Sequence, residues 1–71
     1  ATVADAVALG DPQPDRDRVL RALATAAADD IDPDASLDAR GQGLSGGQVQ
    51  RVAIARALYR AERIDAALVL L

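Results

Sequence analysis

Apolar and polar positions along this chain divide it into three helical stretches and a short apolar end. Between residues 2 and 9, Val3, Ala6 and Val7 fall on one helical face, with Thr2 placed to cap the helix and Gly10 to end it. Asp11-Pro12-Gln13-Pro14-Asp15 reads as a turn, because two prolines remove backbone donors and stiffen the chain. Asp15 or Asp17 then opens a second helix, whose apolar stripe is Val19, Leu20, Leu23 and the alanines near 24–28. The acidic run Asp29 to Asp34, with Pro33 inside it, breaks that helix. The pattern predicts a third helix from about Gly46 to Tyr59 or a little further. Val49, Val52, Ala53 and Leu58 suit its buried side, and Arg51, Arg60 and Arg63 its wetter side. Ile64-Asp65 begins a connector. The apolar run from Ala66 is far too short to span a membrane and reads as one buried strand over Leu68–Leu71.

Composition narrows the chemistry. The chain has 71 residues, 51% of them hydrophobic, with one tyrosine as its only aromatic residue. Its core must be aliphatic and alanine-rich, which favours helix. A core of this size is marginal without staples, and the absence of cysteine rules out a disulfide. The absence of histidine removes the imidazole base and the commonest metal ligand. The net charge of −3 is unevenly spread. Residues 1–38 hold nine Asp against three Arg, a net −6; residues 39–71 hold five Arg against one Asp and one Glu, a net +3. An acidic first half argues against broad nucleic-acid binding. The acidic loop at 29–34 lacks the glycine and closing glutamate of a calcium-binding EF-hand loop. No basic leader and apolar run mark a secretory signal.

One short stretch carries chemistry: Leu44-Ser45-Gly46-Gly47-Gln48, followed at once by Val49-Gln50-Arg51-Val52-Ala53-Ile54-Ala55-Arg56-Ala57-Leu58. A hydroxyl residue, two glycines and a fresh helix start make an anion site. Unpaired N–H groups and the positive end of the helix dipole meet there, and glycine lets an oxyanion approach the backbone. Ser45 suits either of two roles, capping the helix or donating its hydroxyl to an oxyanion.

These residues closely resemble the LSGGQ signature of ATP-binding-cassette (ABC) ATPases, and the match continues through Gln50 to Leu58. The resemblance reaches further. Thr2 to Gly10 is similar to the segment after the Q-loop in exporter-type cassettes. Asp38-Ala39-Arg40-Gly41 stands where those cassettes carry a Gly-Glu-Arg-Gly stretch, the X-loop; Arg40 and Gly41 match it, Asp38 and Ala39 depart from it. Gln42 to Gln48 resembles the cysteine/glutathione exporters among them. Leu68-Val69-Leu70-Leu71 is similar to the apolar strand of a Walker B motif. No lysine occurs, so the P-loop is missing, and so are the Walker B Asp and Glu.

The resemblance implies a mainly α fold: a small helical subdomain of about three helices over residues 1–63, plus the start of a strand over 67–71. Residues 1–71 would be part of a nucleotide-binding domain, itself an α/β P-loop NTPase domain. In such proteins two cassettes meet head to tail. Ser45 would hydrogen-bond the γ-phosphate of ATP held by the opposing cassette, Gly46 and Gly47 would offer backbone N–H groups, and Gln48 would lie near the ribose. Implied partners are ATP, a second cassette and the transmembrane domains of a transporter, at the cytoplasmic face of the cell membrane. No nucleic acid is implied. Mg²⁺ would be held by other parts of the parent. No residue here is expected to be catalytic or to bind metal, and the segment alone is expected to be inactive. The competing expectation is a self-contained helical protein-interaction module with no nucleotide role.

Overall fold

A computed structural model describes residues 1–37 and 44–69; what sequence reasoning expects of 38–43, 70 and 71 lies outside the described residues. Three helices follow one another: α1 Val3–Val7, α2 Arg16–Thr25 and α3 Gly46–Val69. The fold is mainly helical, as the composition predicts.

Each boundary has a local cause. Thr2 caps α1 through a reciprocal pair: its hydroxyl accepts from the Asp5 N–H at 3.2 Å, and the Asp5 carboxylate accepts from the Thr2 N–H at 2.9 Å. The remaining free donors of this one-turn helix are met from outside. Val3 N–H donates to the Ala35 carbonyl at 3.0 Å and Ala4 N–H to the Pro33 carbonyl at 2.8 Å. A single antiparallel bridge, Thr2 to Ser36, continues that contact. The segment after the acidic loop thus completes a helix too short to stand alone. Gly10, at φ 90°, turns the chain where an L side chain would strain it. Asp15 caps α2 by accepting from the Arg18 N–H at 3.2 Å. The end of α2 closes as a Schellman turn: Ala28 N–H reaches the Leu23 carbonyl at 2.8 Å and Ala27 N–H the Ala24 carbonyl at 3.1 Å. Ala27 holds the left-handed position, φ 57°, that glycine usually occupies.

The core gathers Val3, Val7 and Ala8 from the first segment, Val19, Ala22, Leu23, Ala26, Ala28 and Ile31 from the second, and Val52, Ala55 and Tyr59 from α3. Two sequence expectations need correcting here. Leu20, placed on the α2 stripe, is 42% exposed, because Ala22 takes the inward position beside Val19 and Leu23. On α3 the inward row is Val52, Ala55 and Tyr59, a 3–4 spacing. Val49 and Ala53 face outward and Leu58 is half-buried. The apolar count around α3 is high on every side, so periodicity did not single out one face.

The third correction concerns the end of the chain. Ile64-Asp65 is no connector, and Ala67, Leu68 and Val69 belong to α3 rather than to a strand. Neither glycine nor proline interrupts residues 48–69. No strand pairs with this segment among the described residues. A helix satisfies its own backbone groups, whereas an unpaired strand satisfies none. Leu68 stands 60% exposed. No helix among the described residues is long and apolar enough to cross a membrane.

Beyond its buried row α3 is tied down by polar contacts. Tyr59, 1% exposed, donates its hydroxyl proton to Asp11 and accepts from the Asp15 N–H at 3.1 Å. It thereby pins the turn before α2 to the middle of α3. Glu62 accepts from Arg21 and stands 3.4 Å from Arg18, whose guanidinium carbon lies 5.9 Å from the Tyr59 ring centre.

Candidate functional site

The start of α3 is built by its own sequence. Leu44 packs against the core and fixes where the helix begins. Ser45 caps it. The Ser45 hydroxyl oxygen accepts from the Gln48 N–H at 3.2 Å, and the Gln48 amide oxygen accepts from the Ser45 N–H at 2.9 Å. Val49 N–H donates to the Ser45 carbonyl at 2.9 Å, the first bond of the helix proper. Of the four donors that a helix start leaves open, this reciprocal cap satisfies two. The Gly46 and Gly47 N–H groups remain, on exposed residues, with no acceptor among the described residues. The Ser45 hydroxyl accepts one bond and keeps its own proton to give away.

The two glycines have no internal reason to be glycine. Neither has a positive φ. A Cβ on Gly46 would meet nothing within 4 Å, and one on Gly47 would meet only the Arg51 Nη1 at 3.4 Å, an ordinary contact. Glycine in a helix is unfavourable by about 0.5–1 kcal/mol relative to alanine. What the glycines provide is a bare backbone at the point where free N–H groups and the positive dipole end meet.

Arg51 completes the surroundings. Helical side chains lean toward the N-terminus, so a residue four positions on covers the turn before it. That lean brings the Arg51 guanidinium over Gly47, with Asp30 of the acidic loop 3.8 Å from its Nη2. Sequence reasoning had set Arg51 on a wet side and missed this placement. The i, i+4 spacing from Gly47 was the available signal. Ser45, Gly46, Gly47 and Gln48 do lie together. Gln48 turns its side chain back into the cap, where its amide oxygen is occupied.

Chemically, the site offers outward N–H donors, one hydroxyl proton and a nearby guanidinium. Such a set stabilises an anion. The carboxylate of Asp30 faces Arg51 at 3.8 Å. The groups whose titration is shifted lie elsewhere. The Tyr59 hydrogen bond holds the Asp11 carboxyl below its ordinary range, and burial raises the Tyr59 phenol. Hydrogen bonds from Arg16 and Arg21 lower Asp34 and Glu62. These groups brace the fold and do not touch the start of α3.

A family model described as ABC transporter matches residues 1–66. No curated protein and no solved structure matches the chain.

Proposed function

The chain belongs to the ABC transporter family, and we propose from that premise that it is the helical signature portion of an ATP-hydrolysing nucleotide-binding domain. The helical part covers about residues 1–63. Its working surface is the start of α3, which binds the γ-phosphate of ATP carried by an opposing cassette. One observation carries this reading: two outward N–H groups lie on two glycines that the chain's own packing does not require. Ser45 adds a hydroxyl proton. The Gly46 and Gly47 N–H groups add backbone donors, and the helix dipole points the same way. Donors fixed before the anion arrives need no reorganisation when charge develops, usually the largest contribution in phosphoryl transfer. Gln48 reaches the ribose only by releasing its amide from the cap.

The residues here fit the terminal phosphate of ATP, which requires donors. They do not fit Mg²⁺, because the signature holds no carboxylate and its two side-chain oxygens, on Ser45 and Gln48, already accept hydrogen bonds within the cap. The metal and the remaining phosphates fall to other parts of the cassette. The partners are then a second cassette in head-to-tail contact and the transmembrane domains of an exporter-type transporter, at the cytoplasmic face of the membrane. The cysteine/glutathione exporters are the nearest kind by the Gln42–Gln48 stretch. Membership in this family argues against a helical module with no nucleotide role.

The test is Gly47→Asp in a complete cassette carrying this segment. The added carboxylate would stand where the phosphate must sit, and like charges in a site poor in water repel strongly. ATP binding to that cassette's own P-loop should survive, while ATP-driven pairing of cassettes and steady-state hydrolysis should be lost. A folded Gly47→Asp protein hydrolysing ATP at the parental rate refutes the assignment.

A further inference from the structure

Among the arginines that meet a carboxylate, Arg16, Arg21 and Arg63 each donate a hydrogen bond to a described residue, whereas Arg18 and Arg51 do not. Arg16 forms a two-pronged hydrogen bond to Asp34, both arms at 2.9 Å. Arg21 donates to Glu62 and Arg63 to the Gly10 carbonyl; Arg18, whose Nε is also buried without a partner among the described residues, lies over the Tyr59 ring beside Glu62, away from the start of α3. Arg51 donates no hydrogen bond among the described residues. Among the described residues its Nε is buried without a partner, and the carboxylate it meets, Asp30, is at 3.8 Å, beyond hydrogen-bond length. Yet its Nη1 is 3.4 Å from where a Gly47 side chain would begin. A guanidinium offers five donors in a planar fork suited to phosphate oxygens. This one lies beside the open end of α3 and donates no hydrogen bond to a described residue.

We propose that Arg51 is a binding residue for the phosphate at the start of α3, and that Asp30 restrains it until the phosphate arrives. This rests on the phosphate-binding reading of the signature. When the anion settles on the Gly46 and Gly47 N–H groups, Arg51 swings from its loose pairing with Asp30 and donates to the phosphate oxygens. Asp30 competes for the same guanidinium and so weakens the phosphate site. The acidic loop between α2 and residue 35 thereby sets the affinity of the signature for nucleotide.

The experiment measures ATP-driven pairing of complete cassettes by analytical ultracentrifugation, titrating MgATP in the cold so that hydrolysis is slow. Arg51→Ala should raise the ATP concentration for half-maximal pairing roughly ten- to a hundredfold, as expected for a lost hydrogen bond to a charged group. Arg51→Lys, keeping charge but not the fork, should fall between. Asp30→Asn should pair at lower ATP than the parent. A purely structural ion pair predicts otherwise, since both single variants would then harm pairing alike. Should Arg51→Ala not fold, Arg51→Lys and Asp30→Asn decide the matter. Parental pairing by a folded Arg51→Ala, or unchanged or weakened pairing by Asp30→Asn, overturns the proposal. Gly47→Asp in the same assay separates the layers. If it abolishes pairing while Arg51→Ala does not, only the role of Arg51 falls; if it too pairs normally, the phosphate site itself is wrong.

Discussion

Gly47→Ala should make the 71-residue chain more stable and the parent cassette less active. Gly47 is the second residue of α3, in helical backbone, with open space where a methyl would go apart from Arg51 Nη1 at 3.4 Å. That neighbour is the far end of a flexible side chain and adjusts at little cost. Alanine removes backbone entropy from the unfolded chain and is preferred in helices, a gain of about 0.5–1 kcal/mol. For a domain of this size, 1 kcal/mol moves the midpoint of thermal unfolding by about 4–8 °C, so a rise of roughly 2–8 °C is expected. Circular dichroism at 222 nm, the helix band, reads it directly. In the parent, the same methyl intrudes where a phosphate must approach the backbone, and ATP-driven pairing should weaken. The two signs are opposite, and that opposition is the point of the experiment. A lower midpoint in Gly47→Ala would mean that the chain's own packing demands the glycine. A higher midpoint with unchanged pairing would mean that no ligand demands it. Either result refutes the reasoning.

Other expected outcomes follow from the brace around Tyr59. Tyr59→Phe deletes the donor to Asp11 and the acceptor for the Asp15 N–H, and should cost about 1–2 kcal/mol in urea unfolding, since water can reach part of the gap. Ala27→Gly relieves a left-handed alanine at φ 57° and should stabilise the chain by about 0.5–1 kcal/mol, net of glycine's greater entropy loss. Acid should destabilise. Asp11, Asp34 and Glu62 are all held below their ordinary values of 3.8, 3.8 and 4.5, so their contribution is present above those values and is lost as pH falls through the lowered ones. Tyr59 is raised above its ordinary 10.0, so its contribution is present below pH 10.0 and fades as alkali rises through the raised value. Urea unfolding across the pH range checks both limbs, and Tyr59→Phe should flatten each of them.

Much of this protein is decided locally and could be read from residues in order. Thr2 and Asp15 cap α1 and α2 because a short oxygen-bearing side chain reaches the next turn's N–H groups whatever surrounds it. Ser45 caps α3 for the same reason, and open N–H donors on Gly46 and Gly47 follow from a helix start, a local property. What the sequence could not decide depends on distant neighbours. The inward face of α3 is Val52, Ala55 and Tyr59 because α1 and α2 pack there, and a helix apolar on several sides does not choose for itself. Leu20 lost its place to Ala22 because two closely packed helices accept a small side chain at their contact. The expected strand at Leu68 requires partners to pair its backbone. Without any among the described residues, α3 continues through Val69. Arg51 over Gly47 and Asp30 beside it bring together residues some twenty positions apart in sequence, and only the return of the chain through the acidic loop places that carboxylate near α3. Caps and turns are governed by bonds spanning three or four residues, whereas burial and ion pairing are governed by which surfaces the folded chain brings together.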